Sequence, residues 1–103
     1  MARNVARHPS VQPSHPGELL REIVIPATGK SKTEIATLLG ISRQALHDIL
    51  NETQAVTPAM AMRLGKLFGD GPQVWLRMQA AYDIAKAEKE LGPIIKKIPT
   101  LAA

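Results

Sequence analysis

The chain has 103 residues, of which 45% are hydrophobic but only 3% are aromatic, and this composition predicts one aliphatic core of packed helices. It has no cysteine, which excludes disulfides and sulfur-ligated zinc. No segment reaches the ~20 consecutive apolar residues of a membrane span, and the first residues lack the apolar stretch of a signal peptide, so a cytoplasmic location without a membrane partner is expected. The net charge is +4, but residues 16–60 carry four basic against five acidic residues, so bulk charge does not make the middle of the chain a nucleic-acid site.

The first 14 residues are predicted to form a flexible arm. They show no helical period and contain prolines and serines, which favour irregular backbone. The arm carries Arg3 and Arg7 and no acidic residue. A basic arm of this kind follows a DNA minor groove or touches a protein partner, and both alternatives stay open.

The folded domain is predicted to cover residues 15–91. Its first helix begins at Pro16 and ends near Ile25, because the next residue is Pro26. The apolar stripe of this helix is expected to include Leu20 and Ile23.

Two further helices are predicted on either side of a short turn. Ser31 and Glu34 have the spacing of a capping box, which opens a helix that ends at Gly40. Ser42 is the expected N-cap of the next helix, which runs to about Asn51.

The fourth and fifth predicted helices complete the domain. Thr57, followed by a proline, caps a helix that runs through Phe68. Pro72 opens the longest helix, which is expected to end near Leu91. Residues 92–103 then form a short tail, which either frays or adds one last turn. The pattern shows neither strand-like alternation nor an internal repeat.

The second and third predicted helices cross steeply, because their turn is too short for antiparallel packing. Such a crossing needs a small residue at the closest approach and a turn residue that tolerates positive φ; Ala36 and Gly40 meet these needs. Apolar residues flank both positions. A plain helical hairpin is the alternative, but the joint pattern favours a DNA-binding helix-turn-helix with its core at residues 30–51. The predicted fold class is therefore an all-α, five-helix, lambda-repressor-like domain with a long C-terminal helix.

The exposed face of the third helix is predicted to bind DNA. Arg43 suits guanine, and Gln44 suits adenine. Asp48 is interpreted as accepting from cytosine N4 or as orienting Arg43 or His47. Helix N-termini should supply phosphate contacts, since bulk charge does not. The predicted DNA-binding residues are Ser42, Arg43, Gln44, His47, Asp48, Asn51, Ser31, Lys32 and Thr57.

The last helix carries more apolar residues than one narrow stripe needs. Val74, Trp75, Met78 and Tyr82 are predicted to form the interface of a homodimer, and a roof over the core is an equal alternative for Trp75. A symmetric dimer places two recognition helices about 34 Å apart, as a palindromic operator in double-stranded DNA requires.

Sequence signals for catalysis are lacking. The chain has no glycine-rich phosphate loop and no nucleophile elbow. His15 and Glu18 are conceivable metal ligands, but they straddle a helix start and lack a third ligand nearby. We therefore expect no enzyme activity, no cofactor and no metal.

Residues 30–69 resemble the Cro and phage-repressor (XRE) helix-turn-helix family. More narrowly, the chain is similar to the HigA/VapI antitoxins in HPGELLRE at 15–22, ISRQ at 41–44, VTPAMAMRL at 56–64 and PQVWL at 72–76. This resemblance implies a homodimer that represses its own operon and neutralises a ribonuclease toxin of the HigB (RelE-like) type. A stand-alone phage-type or metabolic repressor without a toxin is the alternative. Glu52 stands where such relatives usually have glycine, which would alter the turn or weaken a phosphate contact nearby.

Overall fold

The computed structural model describes residues 12–101, so the predicted arm with Arg3 and Arg7 lies largely outside the described residues. Within this range the chain forms five helices and no strand, as the predicted all-α, five-helix fold class requires. Helix α1 consists of three consecutive segments, and the other helices are regular. Their bounds are Pro16–Leu19, Leu20–Val24 and Ile25–Thr28 for α1, Lys32–Leu39 for α2, Arg43–Leu50 for α3, Pro58–Phe68 for α4 and Pro72–Ile95 for α5.

Helix α1 does not stop at Pro26 as predicted. Its middle segment is a π turn, in which the Ile25 N–H donates to the Leu20 carbonyl five residues earlier. Pro26 lies at the start of the segment that follows, where its missing N–H is tolerated. The wider turn also aligns Ile25 with Leu20 on the buried face, so Ile25 is 4% exposed. The prediction for Ile23 is wrong, because its side chain is 60% exposed.

The helix-turn-helix has the geometry that the sequence predicts. Ser31 and Glu34 form the reciprocal capping box at the start of α2. Gly40 ends α2 with φ 73°, and the Ile41 N–H donates to the Ala36 carbonyl at 3.0 Å. Ala36 itself is 1% exposed. A small side chain at this position lets α3 cross α2 closely.

Helices α1 to α4 surround one aliphatic core, which the first turns of α5 cover. Trp75 of α5 is 1% exposed, and its Nε1 donates to Asp70 Oδ1 at 2.9 Å. The prediction of a dimer contact by Trp75 is therefore corrected, because no part of its side chain is left for a partner. Val74 and Met78 are half-buried against the same core. The core residues are Leu20, Ile25, Ile35, Ala36, Leu39, Leu46, Ile49, Leu50, Val56, Ala61, Leu64 and Trp75.

Helix α5 is longer than predicted. It passes Gly92 and Pro93 and ends at Ile95, so the helix end predicted near Leu91 is wrong and the alternative of one more turn is confirmed. Pro93 removes one N–H from the helix, but this part of α5 is exposed and water can satisfy the carbonyl left free.

None of the helices within residues 12–101 is long and apolar enough to cross a membrane.

Candidate nucleic-acid interface

Helix α3 has one buried face and one polar face. Leu46, Ile49 and Leu50 are buried in the core, whereas Arg43 and Gln44 are exposed on the opposite side. The remaining predicted base-contacting residues belong to the same polar face or its ends: Ser42, His47, Asp48 and Asn51. Ser42 is the N-cap, and its hydroxyl oxygen accepts from the Ala45 N–H at 3.0 Å. The core thus fixes which side of α3 faces outward.

Two side-chain pairs order this polar face. Gln44 Nε2 donates to Asp48 Oδ1 at 2.7 Å, and Asn51 Nδ2 lies 2.8 Å from His47 Nε2. Asp48 therefore orients Gln44, a partner that the sequence did not indicate, and its contact with cytosine N4 stays a prediction. One amide hydrogen of Gln44 is used in this bond. Its carbonyl oxygen and second amide hydrogen stay available for a base edge.

Basic side chains gather beside α3. Lys32, from the first turn of α2, lines a small cavity of about 40 Å³ together with Arg43 and His47. Ser31 and Thr57 are exposed N-caps, whose hydroxyl oxygens accept from backbone N–H groups at the starts of α2 and α4. Of these three predicted DNA-binding residues, the structure thus brings Lys32 next to the polar face of α3.

Two arginines that the sequence did not single out hold the C-terminal ends of α2 and α3. Arg63 of α4 donates to the Leu39 carbonyl at 2.6 Å, at the end of α2. Arg21 of α1 donates to the Leu50 carbonyl at 2.6 Å, at the end of α3. A guanidinium satisfies helix-end carbonyls and opposes the negative end of the helix dipole. Both helices of the motif are therefore fixed to their neighbours.

Glu52 follows α3 with φ 65°, and it is the one non-glycine residue with positive φ within residues 12–101. This conformation costs a side-chain residue about 1–2 kcal/mol, which explains the glycine expected in relatives. Glu52 Oε2 lies 3.3 Å from Arg21 Nη1. Glu52 thus takes up the left-handed conformation that a glycine adopts readily, and its side chain forms an ion pair with Arg21.

His15 is buried and is the N-cap of α1. Its Nδ1 accepts from the Gly17 N–H at 2.9 Å, and its ring packs edge-on against Tyr82 at 5.0 Å between centroids. Burial lowers the pKa of His15 below its ordinary 6.5 and outweighs the attraction of Glu52 and Asp83. Within the described part of the chain, no three potential ligands come together as a metal site. His15 is a capping residue, a role that its sequence pattern did not indicate.

We expect the free energy of unfolding to fall as the pH drops below about 6.5. The unfolded chain takes up a proton on His15 before the folded chain does, so acid favours unfolding. The stabilisation is present above pH 6.5 and is lost at lower pH. Urea unfolding at pH 7.5 and 5.5 measures it, and His15→Asn, which keeps a capping acceptor without titrating, should show a smaller difference. An unchanged difference in His15→Asn would assign the pH dependence to other groups.

The comparisons with known proteins agree with this geometry. A helix-turn-helix family model matches residues 20–72. Virulence-associated protein I of Dichelobacter nodosus is 39% identical over 85 residues, which cover 82% of this chain and 79% of the relative. An addiction module antidote protein of the HigA family from Coxiella burnetii superposes with a TM-score of 0.81 at 38% identity, covering 89% of this chain and 100% of that one. The Pseudomonas aeruginosa antitoxin HigA, solved with the higBA promoter, gives a TM-score of 0.82 at 33% identity over 88% and 100% of the two chains.

The chain therefore belongs to the helix-turn-helix family, whose members are DNA-binding regulators. Within the XRE branch of this family its fold is that of the HigA-type antitoxins, and the predicted resemblance to HigA and VapI is confirmed.

Proposed function

We propose that this protein is a transcriptional repressor and antitoxin that inserts α3 into the major groove of its own operator. The observation that supports this most directly is the exposed polar face of α3, fixed from behind by the core and at its C-terminal end by Arg21. The protein acts by binding, and no catalytic step is assigned to it.

Each polar residue of α3 has a separate role in the proposal. Arg43 binds the O6 and N7 atoms of guanine. Gln44, held by Asp48, presents its oxygen and its remaining amide hydrogen to the N6 and N7 atoms of adenine. Lys32 contacts a phosphate, which sets the position of the helix but does not distinguish bases. His47 and Asn51, which pair with each other, are the next residues that we propose to contact bases. Thr57, Ser31 and Ser42 place helix N-termini toward the DNA backbone.

The proposed partners follow from the similarity to HigA-type antitoxins. We propose that two copies bind a palindromic operator and that the antitoxin neutralises a HigB-like ribonuclease toxin. The structural neighbours of the HigA type favour this function over a stand-alone repressor. Val74, Met78 and Tyr82 stay half-exposed on α5 and remain candidates for contact between the copies.

Two measurements test this function. Titration of the protein with its own promoter fragment and with a scrambled fragment, at one stated salt concentration, should give an affinity ratio on the order of a thousandfold or more. When the protein is purified from its native host, a small ribonuclease should co-purify with it. Equal affinity for both fragments would contradict the repressor, whereas promoter binding without a co-purifying toxin would favour the stand-alone alternative.

Asp48 allows a test of how Gln44 is oriented. We expect Asp48→Ala to lower the operator-to-scrambled affinity ratio about fivefold, because one orienting hydrogen bond of about 1 kcal/mol is lost. Asp48→Asn keeps an acceptor for Gln44 Nε2 and should keep the ratio. Both variants should bind scrambled DNA more tightly than the wild type, since each removes a carboxylate that repels phosphate. A wild-type ratio in Asp48→Ala would show that Gln44 needs no orienting partner.

A further inference from the structure

The turn between α3 and α4, residues 51–57, lies on the surface beside the polar face of α3, and Val56 is its one buried residue. We call this segment the α3–α4 turn. It joins Asn51, at the C-terminal end of the polar face, to Thr57, the N-cap of α4. The path of the turn therefore sets where the N-terminus of α4 lies relative to α3.

The two halves of the α3–α4 turn are held by different helices. The first half is bonded to α3 itself, because the N–H groups of Thr53 and Gln54 donate to the Asp48 carbonyl at 2.9 and 3.2 Å. The second half is held from α5, where Gln79 Oε1 accepts from the Val56 N–H at 2.8 Å. A side chain 23 residues away thus fixes the backbone directly before the N-cap of α4.

Gln79 is 5% exposed, and it and His15 are the two buried polar side chains within residues 12–101. Its Nε2 donates to Asp83 Oδ1 at 3.0 Å. Because a backbone N–H only donates and a carboxylate only accepts, these two partners fix which way the amide faces. A leucine would fill the same space without the cost of burying an amide, so packing alone does not require glutamine here. What the amide adds is its bond to the turn.

We infer that Gln79 is a positioning residue for DNA binding, which holds the second half of the α3–α4 turn and with it the N-terminus of α4 in place against the DNA backbone. The inference rests on the proposed function, in which Thr57 places that N-terminus toward the DNA. Gln79 is buried and acts through Val56, without touching DNA itself. Its effect is on backbone contacts, which raise the affinity for every sequence and carry no base discrimination.

The test is titration of the full chain with its promoter fragment and with a scrambled fragment at one salt concentration. Gln79→Leu leaves the Val56 N–H without its acceptor, so the turn opens toward water. The affinity for both fragments should fall by the same factor, about three- to tenfold as for one lost hydrogen bond. The operator-to-scrambled ratio should stay unchanged. Circular dichroism at the assay temperature measures the folded fraction, to which the affinities are referred.

Trp75→Phe is the matched control. It also removes one hydrogen bond of a buried α5 side chain, one helical turn earlier, but that bond goes to Asp70 and not to the α3–α4 turn. This variant should melt at a lower temperature than the wild type and bind both fragments as the wild type does. An equal loss of affinity in Trp75→Phe and Gln79→Leu would assign the effect to lower stability and overturn the inference.

Exchange of the amide and the carboxylate separates binding from stability. Gln79→Glu alone sets a second carboxylate against Asp83 and should weaken binding to both fragments. The double variant Gln79→Glu with Asp83→Asn offers the Val56 N–H an acceptor and supplies a donor from residue 83, at the wild-type net charge. It buries a carboxylate, so it should stay less stable than the wild type. Its affinity for both fragments should nevertheless return to near the wild-type value.

Wild-type affinity for both fragments in folded Gln79→Leu would overturn the inference, as would a double variant that binds no better than Gln79→Glu. A changed operator-to-scrambled ratio would move the effect of Gln79 to the base contacts of α3 and overturn its role in the turn. If Gln79→Leu does not fold, the comparison of Gln79→Glu with the double variant decides. Equal affinity of the wild type for both fragments would contradict the proposed repressor alone, because the inference is measured on scrambled DNA as well.

Discussion

Replacing Arg43 and Gln44 together by alanine is expected to abolish operator recognition while leaving the fold intact. The double variant removes two base contacts, each worth about 1–3 kcal/mol of discrimination. Specific affinity should therefore fall about thirtyfold to twenty-five-thousandfold, and non-specific binding should weaken far less. Both side chains are exposed on α3, so the melting temperature should change little. Titration with operator and with scrambled DNA at one salt concentration measures the effect.

A matched control separates base recognition from the loss of charge. Gln73→Ala with Arg77→Ala removes the same two residue types from the exposed side of α5 and should keep operator recognition. Toxin neutralisation should persist in the α3 variant if the toxin binds elsewhere. Wild-type discrimination in the α3 variant would show that α3 does not contact the bases. Loss of both activities would place DNA and toxin on overlapping surfaces.

Gly17→Ala is expected to destabilise the protein more than any exposed substitution. A Cβ at residue 17 would overlap the backbone carbonyl of Ile49, where α1 crosses α3. Backbone does not yield as a flexible side chain does, so we expect a loss of at least about 3 kcal/mol in the free energy of unfolding. For a domain of this size the melting temperature should fall by more than about 10 °C.

Gly92→Ala provides the control of opposite sign. Residue 92 also lies in a helix, but an added Cβ there would meet nothing within 4 Å. Alanine favours helix over glycine by up to about 1 kcal/mol, so this variant should be slightly more stable than the wild type. A Gly17→Ala protein with an unchanged melting curve would mean that α1 and α3 do not touch at Ile49.

The elements of the fold that depend on local signals could be predicted from the sequence. Capping residues and C-terminal glycines indicate helix ends, because their hydrogen bonds are made within a few residues of the chain. For this reason the limits of α2 and α4 are as expected. The limits of α1 and α5 were missed because each helix continues past a proline. Whether a proline ends a helix depends on the bonding of the preceding turn and on access to water, and neither is visible in a sequence pattern.

The candidate site likewise has features that the sequence predicts and features that it does not. The outward residues of α3 follow from helical periodicity, which also predicts which residues are buried. The hydrogen bond from Gln44 to Asp48 and the roles of Arg21 and Arg63 depend on rotamers and on contacts 24 or more residues apart in the chain. For Trp75 the sequence left two roles open, because an apolar residue on a terminal helix fits a core and an interface equally well until its exposed fraction is known.

The π turn of α1 has a consequence for chain length. A π turn corresponds to an α-helix that has received one extra residue, so the segment Leu20–Val24 contains one residue more than a regular helix needs. Loss of the exposed Ile23 would leave Leu20 and Ile25 four positions apart and still on one face. The same loss inside α3 would rotate every later side chain by about 100° and turn the polar face away from DNA. A deletion in α1 would therefore keep the buried face but leave Pro26 inside a regular helix, whereas a deletion in α3 would move the DNA-binding face itself.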